Sequence, residues 1–529
     1  MGSVGLDDRR LESDPLRARL RAKTEAPSAA LRQVTTRGCV IIGGRRLEDL
    51  FADVLSGRLD YETNLFSILC GQALDADLAP LAAPILIGLA TGQADGRDLL
   101  GVRLAASTHA PFELAILPFL RRCEGFADTA RRLCAGEARV LPTVAAGAAL
   151  ARRLRTMLAE ARPASPYLAA LDACPSLSAE LVAAAYLLEC GLAPQVMPFV
   201  KIAARLPVAA AVYLDELAQR PNRFTGVDAP SGDRGPADDL AEAGLALLDA
   251  GAKFAAVMVR LALGRSVSAA ESVPINAALV AGAEYGGASA SSVMMRMIRD
   301  DGVGAADAMQ AMIATFGPYH LGALKQSAFV IASVADGVAP DEAIARYALP
   351  DPAGRPRVAG FGHRFQKRDP RAVLLLGLCR QRFPGKFIEA AARLDEVLGE
   401  RRVGYINMDG IGAAMGLQGG MAPDIVSLLT LVARAPRHRQ GAAPGDAAAV
   451  RLRPARPQRP RLTGRRTARR RGRPAAYTPR PWRNGRRGLK TSGRLRYSGS
   501  VHAAGVAELV DAPDLKTAYR TKILIETTY

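Results

Sequence analysis

The chain has 529 residues, is 49% hydrophobic with only 5% aromatic residues, and carries a formal net charge of +19. This length and apolar content suffice for a packed core, and the abundance of alanine and leucine favours helix over strand, so we predict an all-α globular protein. The best apolar stretch, Leu78 to Gln93, is too short and too interrupted to span a bilayer, and the charged N-terminus argues against a signal peptide; we expect a soluble cytoplasmic protein without a membrane partner.

The number and spacing of the cysteines argue against disulfide bonds and a metal site. There are seven of them, an odd number, and they contain no Cys-x-x-Cys pair. This pattern argues against both a disulfide framework and a zinc site. We therefore predict no bound metal.

Composition divides the chain into four segments. Residues 1–58 form a polar extension, and residues 59–222 show apolar helical patterns. A Pro/Gly-rich linker leads to a second helical region at residues 239–435. Residues 436–529 form an Arg/Pro-rich tail that we predict to be disordered. In this tail, 23 Lys/Arg against 5 Asp/Glu give +18, nearly the whole net charge.

An internal repeat relates the two helical regions. Leu181–Pro207 aligns with Gly410–Pro436 at an offset of 229, with nine identities in 27 positions. A weaker match at an offset of 192 relates residues 86–99 to residues 278–291. Histidines of the second region have no counterpart in the first. We interpret residues 59–222 as a degenerate copy of the second region.

The similarity between the copies ends after Pro436. In the first copy an amphipathic pattern continues through Val208–Leu217, whereas in the second the same point is followed by Arg-rich low complexity. Plausible codons for residues 437–445, read one base out of register, spell Gly-Ile-Ala-Arg-Ala-Pro-His-Leu, which would continue the helix. Residues 505–516 resemble a translated transfer-RNA gene. We hypothesise that residues 436–529 are a frameshifted read-through. Resequencing the gene, or measuring the intact mass of the native protein, will test this hypothesis.

Three loops near helix ends carry the candidate chemistry. His320 lies in the sequence GPYHLGA, His363 in GFGHRFQKRDPRA, and Asp409 in NMDG. Two imidazoles and a carboxylate form the kind of set that general acid–base chemistry on a carbonyl compound requires. Each also has a structural interpretation: a loop histidine often serves as a hydrogen-bonding group, and Asp409 could cap a helix starting at Gly410. The shared pattern of the three loops favours the catalytic interpretation.

The order and the amino-acid sequences of these loops resemble the motifs of the citrate synthase family. The first loop is similar to the family's Gly-Pro-Leu-His-Gly, and the second, with Asp369-Pro370-Arg371, is similar to its Gly-Phe/Tyr-Gly-His and Asp-Pro-Arg segment. Asn407-Met408-Asp409 is similar to its Asn-Val-Asp. The resemblance covers about residues 241–434. It implies a multi-helix fold with large and small domains.

The resemblance also implies roles for individual residues. Asp409 would remove a proton from an acyl-CoA, His320 would hydrogen-bond the thioester oxygen, and His363 would polarise the ketone of an oxo acid. Arg371 and Arg434 match family arginines that hold substrate carboxylates, a role suited to guanidinium. Coenzyme A would be present as a thioester substrate and not as a bound cofactor.

Two further positions bear on substrate binding. Lys367 and Arg368 are candidates for the phosphates of coenzyme A, with a solvated basic loop as the alternative. Tyr285 occupies the position of a substrate-binding histidine in the family. A tyrosine can donate a hydrogen bond to a carboxylate but cannot be cationic, so this departure puts ordinary oxaloacetate binding in doubt.

Several functions remain open at this stage. The first is a citrate synthase-like acyltransferase acting on an acyl-CoA and an oxo acid. The residues after Asp409 and the short spacing from His363 to Asp369 resemble citryl-CoA lyase-type relatives, which catalyse the reverse cleavage. A catalytically impaired homologue is the next alternative, and a nucleic-acid-binding protein using the Arg-rich tail is the last. The tail has few aromatic residues, so we do not expect a nucleic-acid partner. We expect a homodimer or an internal pseudo-dimer.

Overall fold

Helices form nearly all of the regular structure. The computed structural model describes residues 41–42, 45–92, 98–136, 145–219, 237–283, 289–300, 302–317, 320, 322–349, 357–363 and 367–436. Within them, the strands are the two-residue pair β1 (Ile41–Ile42) and β2 (Arg45–Arg46), which run antiparallel. The predicted all-α fold is confirmed. Most of the predicted extension, Tyr285, and all of the predicted tail after Pro436 lie outside the described residues.

In the described part of residues 45–219, eleven helices precede the predicted linker. Side chains mark several of their starts: Asp60 accepts a hydrogen bond from the backbone N–H of Thr63, and Ser178 from that of Leu181. Such N-caps satisfy donors that the first helical turn leaves unpaired. The helices are α1 (Leu47–Leu55), α2 (Tyr61–Cys70), α3 (Ala82–Thr91), α4 (Leu100–Ser107), α5 (Phe112–Ala115), α6 (Leu117–Cys123), α7 (Gly125–Cys134), α8 (Ala145–Ala161), α9 (Pro166–Asp172), α10 (Ala179–Glu189) and α11 (Met197–Leu217).

Eleven more helices follow in the second region. Pro370 occupies the first turn of one of them, and Asp369 caps it by accepting from the backbone N–H of Arg371. The helices are α12 (Ala237–Asp249), α13 (Phe254–Leu263), α14 (Ala269–Ala283), α15 (Ala290–Asp300), α16 (Ala305–Ala314), α17 (Ala323–Ala335), α18 (Pro340–Tyr347), α19 (Pro370–Arg382), α20 (Lys386–Glu400), α21 (Met408–Gln418) and α22 (Leu428–Arg434).

The repeat in the sequence is matched by a repeat of elements. A short 3-10 helix, Pro194–Val196, connects α10 to α11, and another, Pro423–Ile425, connects α21 to α22. The offset of 229 carries the bounds of α10 onto those of α21. Gly191 and Gly420, also 229 apart, both adopt a positive φ, 77° and 94°. At the offset of 192, the end of α3 falls on the end of α14. The proposed boundaries of the two copies stay predictions.

The two repeats share one core. In the first, α3 packs on α11, and in the second, α14 packs on α22 in the same way; α11 also packs directly on α22. Every residue of α11 from Met197 to Ala210 is buried. The described residues belong to one compact unit. The long helix α11 is therefore the element through which the repeats meet.

Helix α11 also carries buried charges. The segment Pro194–Leu217 is long and apolar enough to cross a membrane, but 89% of its most apolar stretch is buried within the fold. Lys201 Nζ lies 2.8 Å from Glu180 Oε2, and Arg205 Nε lies 2.6 Å from an oxygen of a buried aspartate on the loop before α4. Ionised groups tolerate such burial when they are paired. This segment is packed as a core helix.

Candidate active site

His320 lies in a tight turn just before α17. The N–H of Gly317 donates to the carbonyl oxygen of His320 at 2.8 Å, and the N–H of His320 donates back to Gly317 at 2.9 Å. The N–H of Gly322 donates to the same carbonyl of His320 at 2.7 Å. The hydrogen bonds of the turn therefore fix the backbone of His320. The residue itself is partly exposed.

The loop of His363 and the loop of Asp409 are joined by backbone hydrogen bonds. The N–H of Gly362 donates to the carbonyl of Tyr405 at 2.6 Å. Asn407 binds the same loop twice, with its N–H donating to Gly360 at 3.0 Å and its Nδ2 donating to the carbonyl of Gly362 at 2.7 Å. Two of the three predicted loops thus form one unit.

The loop of His363 and the helices that follow His320 and Asn407 meet at a contact of small residues. Gly360 has φ +80°, and a Cβ placed on it would lie 1.9 Å from Oγ of Ser327 and 2.8 Å from Cα of Gly410. Ser327 belongs to α17, which follows His320, and Gly410 adjoins Asp409 in α21. Helices α17 and α21 pack extensively on each other. Only glycine permits both this conformation and this approach, so Gly360 allows its loop to pack closely against α17 and α21.

Asn407 caps helix α21, so the structural interpretation of Asp409 as the cap is wrong. The side-chain oxygen of Asn407 accepts from the backbone N–H of Asp409 at 2.9 Å and of Gly410 at 3.2 Å. The helix begins at Met408, one residue earlier than Asp409. The carboxylate of Asp409 therefore lies in the first turn, where the helix terminus favours a negative charge.

Asp369 is a buried carboxylate between His363 and Arg371. Arg371 donates from Nε to Oδ1 at 3.0 Å and from Nη2 to Oδ2 at 2.6 Å, and His363 Nε2 lies 4.0 Å from Oδ2. Burial acts to raise the pKa of Asp369, but the charge and hydrogen bonds of Arg371, aided by His363, hold that pKa below its usual range. Asp369 is thus an anion that orients Arg371, which is only 4% exposed.

Of the two basic residues predicted to bind coenzyme A, Arg368 lies beside the ring of Tyr405 and the carboxylate of Asp395. The guanidinium of Arg368 stacks 3.9 Å over the ring of Tyr405, and its Nη2 lies 3.6 Å from Oδ2 of Asp395. Half of the Arg368 side chain is exposed, and Lys367 is exposed as well. Arg368 therefore has a structural anchor, while Lys367 faces solvent.

Arg434 lies at the end of α22 and is 9% exposed. Its Nη1 donates to Oγ of the buried Ser291, in the first turn of α15, at 2.6 Å. Helix α14 packs both on α22 and on α19, and so connects the helices of Arg434 and Arg371. Tyr285, the other predicted substrate-binding residue, lies outside the described residues.

Some residues that hold the site together were not identified from the sequence. Ser327 and Ser291 were missed, and Asn407 and Asp369 were noted only as letters of motifs. The capping roles had a signal, since asparagine and aspartate are preferred N-caps and Pro370 directly follows Asp369. The serine contacts had none, because they depend on tertiary packing. Within the described ranges, no cluster of His, Cys, Asp and Glu could hold a metal ion.

Comparison with protein families identifies the class. A family model described as the C-terminal domain of citrate synthase matches residues 124–436, more than half of the chain. The chain therefore belongs to the citrate synthase family. The match begins well upstream of residue 241, where the resemblance was expected to start, and so includes part of the predicted degenerate copy.

Several solved structures are similar to the chain. The citrate synthase of Thermoplasma acidophilum, solved in a ternary complex with carboxymethyl coenzyme A and oxaloacetate, is 14% identical; the match covers 85% of this chain and 98% of that chain, with a TM-score of 0.49. The citrate synthase of Pyrobaculum aerophilum is 18% identical, with coverages of 76% and 83% and a TM-score of 0.47. The citryl-CoA lyase of Hydrogenobacter thermophilus is 23% identical, with coverages of 44% and 90% and a TM-score of 0.34. No curated protein sequence matches the chain.

Proposed function

We propose that this protein condenses acetyl-CoA, or another acyl-CoA, with oxaloacetate or a related oxo acid. Membership of the citrate synthase family supports an enzyme of this type. The observation that carries the proposal is the contact of Gly360 with Ser327 and Gly410. That contact joins the helix after His320, the loop before His363 and the helix of the aspartate.

The reaction follows from the chemistry of these groups. Asp409 takes a proton from the carbon beside the thioester, while His320 donates a hydrogen bond to the thioester oxygen as that oxygen gains negative charge. The resulting carbon nucleophile attacks the ketone of the oxo acid. His363 polarises that ketone and gives a proton to the alkoxide that forms. Water then cleaves the thioester and releases the thiol of coenzyme A.

Arginines would hold the carboxylates of the oxo acid. Arg371 and Arg434 are both nearly buried, where charge-assisted hydrogen bonds to an anion are strong. Asp369 binds Arg371 through both oxygens and lies 4.0 Å from His363, so it would align the cation and the imidazole towards the same substrate. Lys367 would attract the phosphates of coenzyme A.

A second candidate function is the cleavage of citryl-CoA. A Cβ on Gly410 would lie 2.4 Å from the carbonyl oxygen of Gly360, so the residue after Asp409 has no room for a side chain. The aromatic residue that follows the aspartate in ordinary synthases of the family does not fit there. This feature favours the lyase direction, in which the same three groups break the carbon–carbon bond.

The test uses the full chain in both directions. The first assay supplies acetyl-CoA and oxaloacetate and detects free thiol, and the second supplies citryl-CoA and detects oxaloacetate. We expect turnover in at least one assay and its loss in Asp409→Ala. Turnover that survives this substitution would overturn the assignment of the base. A helical, folded chain that is inactive in both assays would overturn the proposed function and leave an impaired homologue.

A further inference from the structure

Asp395 is a nearly buried carboxylate that the proposed mechanism does not use. It lies on α20 and is 8% exposed. Its Oδ1 accepts from the backbone N–H of Ile406 at 2.6 Å, and its Oδ2 lies 3.6 Å from Nη2 of Arg368. A carboxylate inside a protein is stabilised by such partners. Here the two oxygens face two different segments, the one that leads to Asp409 and the one that follows His363.

The segment around Ile406 lies directly on α20. A Cβ placed on Gly399 would collide with the ring of Tyr405. Gly399 is one turn after Asp395, so one face of the helix makes both contacts. Asn407 follows at once and caps α21, which carries the candidate base in its first turn. The position of the candidate base therefore depends on this face of α20.

Arg368 is held by the same elements. Its guanidinium stacks on the ring of Tyr405 and turns one nitrogen towards Asp395, while half of the side chain is exposed. A guanidinium fixed on one side by a ring and an acid keeps hydrogen-bond donors for an anion on its open side. Fixing it in advance lowers the entropy that is lost when the anion binds. Arg368 is thus a preorganised cation beside the segment that leads to the base.

We propose that Asp395 is a positioning residue for the condensation or the cleavage described above. One of its oxygens sets the segment that leads to Asp409, and the other orients Arg368 towards the phosphates of the coenzyme A thioester. This assignment rests on the proposed function for the identity of the thioester. One buried acid then places the base and the site of the charged end of the thioester relative to each other.

Two substitutions separate the two contacts. Asp395→Asn keeps an oxygen that accepts from the N–H of Ile406 but loses the charge that faces Arg368, whereas Asp395→Ala loses both. Each variant of the full chain is assayed with the coenzyme A thioester and with the same thioester of pantetheine, which lacks the nucleotide and its phosphates. Glu389→Gln is the matched control, since Glu389 is an exposed acid of the same helix that pairs with Arg380 at 2.7 Å.

The expected result is a split between KM and kcat. Asp395→Asn should raise KM for the coenzyme A thioester about two- to fivefold, the range of an exposed ion pair, and leave kcat and the pantetheine thioester unchanged. Asp395→Ala should also lower kcat with both thioesters, by up to about 100-fold, because the base is displaced. Glu389→Gln should change none of these values.

Three results would overturn the positioning role. They are an equal change of KM for the two thioesters in Asp395→Asn, an unchanged kcat in Asp395→Ala, and a lower KM for the coenzyme A thioester in Asp395→Asn. The last would mean that the acid only neutralises Arg368. If Asp395→Ala does not fold, Asp395→Asn decides through the difference between the two thioesters.

Binding measured without turnover separates this proposal from the proposed function. Adenosine 3′,5′-bisphosphate, which carries phosphates of coenzyme A but no thioester, is titrated into each variant by calorimetry. We expect Asp395→Asn to weaken its binding about two- to fivefold relative to the original chain. A chain that shows this difference but turns over neither thioester contradicts the proposed function alone. Equal binding by the two chains, or none by the original chain, contradicts the role of Asp395 whatever the turnover.

Discussion

The two repeats place charged residues at equivalent positions and surround them differently. Glu180, which corresponds to Asp409, is paired with Lys201 at 2.8 Å, and both side chains are buried. Arg205, which corresponds to Arg434, is paired with a buried aspartate at 2.6 Å. In the second repeat the aspartate lies partly exposed in the first turn of α21, and the arginine donates to a serine hydroxyl.

Substitution of the partners explains the difference. At the offset of 229, Lys201 corresponds to Thr430, and at the offset of 192, Asp98 corresponds to Ala290. The second repeat therefore has neither that lysine nor that aspartate at the corresponding positions. Under the proposed function, the comparison separates a structural half from a chemical half.

The largest effect should come from the acid of the second repeat. Asp409→Ala should lower kcat about 10²- to 10⁴-fold, the range expected for loss of a general base. Glu180→Gln is the matched control and should keep the turnover of each folded molecule. Thiol release by both variants measures this. If the two substitutions reduced kcat equally, the division into a structural and a chemical half would fail.

The buried pair of the first repeat should matter for stability. Lys201→Met should lower the free energy of unfolding by about 3–5 kcal/mol, because Glu180 would be left charged and buried without its partner. The double variant Lys201→Met with Glu180→Leu should recover most of this loss. Urea unfolding of the three chains gives the numbers. Equal losses in the single and double variants would mean that packing, not charge, holds this region.

His320 tests the chemical half at a second point. His320→Ala should reduce kcat by roughly 10²- to 10³-fold, the usual effect of removing one oxyanion donor. His109, an exposed loop histidine of the first half, provides the control, and His109→Ala should leave kcat unchanged. Circular dichroism should show the same helix content for both. Unfolding of His320→Ala would instead indicate a structural role for this residue.

The meeting point of the loops can be disturbed directly. Gly360→Ala should destabilise the protein by more than about 1 kcal/mol, because φ is positive and the new Cβ would meet Ser327 and Gly410. Gly377→Ala, on an exposed face of α19 with no atom within 4 Å of the new Cβ, should stabilise it by about 0.5–1 kcal/mol. Thermal unfolding compares the two. A tolerated Gly360→Ala would contradict the close approach.

Glu62 adds a further test of the first half, since it is a buried acid that stays protonated at neutral pH. Burial, with the charge of Asp60, raises the pKa of Glu62 to about 8. The folded state then holds a proton that the unfolded state releases near its ordinary pKa of 4.5. Stability should be full below this value, fall by up to about 1.4 kcal/mol per pH unit towards pH 8, and then level off. Glu62→Gln should remove this component, whereas exposed Glu48→Gln should retain it.

Periodicity and motifs predicted the helical class, the three loops and the repeat. The contact of Gly360 with Ser327 was beyond the sequence, because it joins residues on separate helices through packing alone. The binding of Arg371 by Asp369 was also missed, since a bidentate pair two residues apart depends on the local rotamers. The capping role of Asn407 could have been predicted from the sequence, because an asparagine two residues before a candidate base in a helical first turn is a typical N-cap.

The position of α11 has a consequence for the order of assembly during synthesis. Domains fold largely as units from the N-terminus while the chain is being made. Helix α11 is complete before any of the loops of His320, His363 and Asp409 has been translated, and its partner α3 precedes it. Helix α22, which packs on α11, emerges last of the described helices. The first region can thus serve as a preformed template on which the second region docks, a reason to retain it that requires no chemistry of its own.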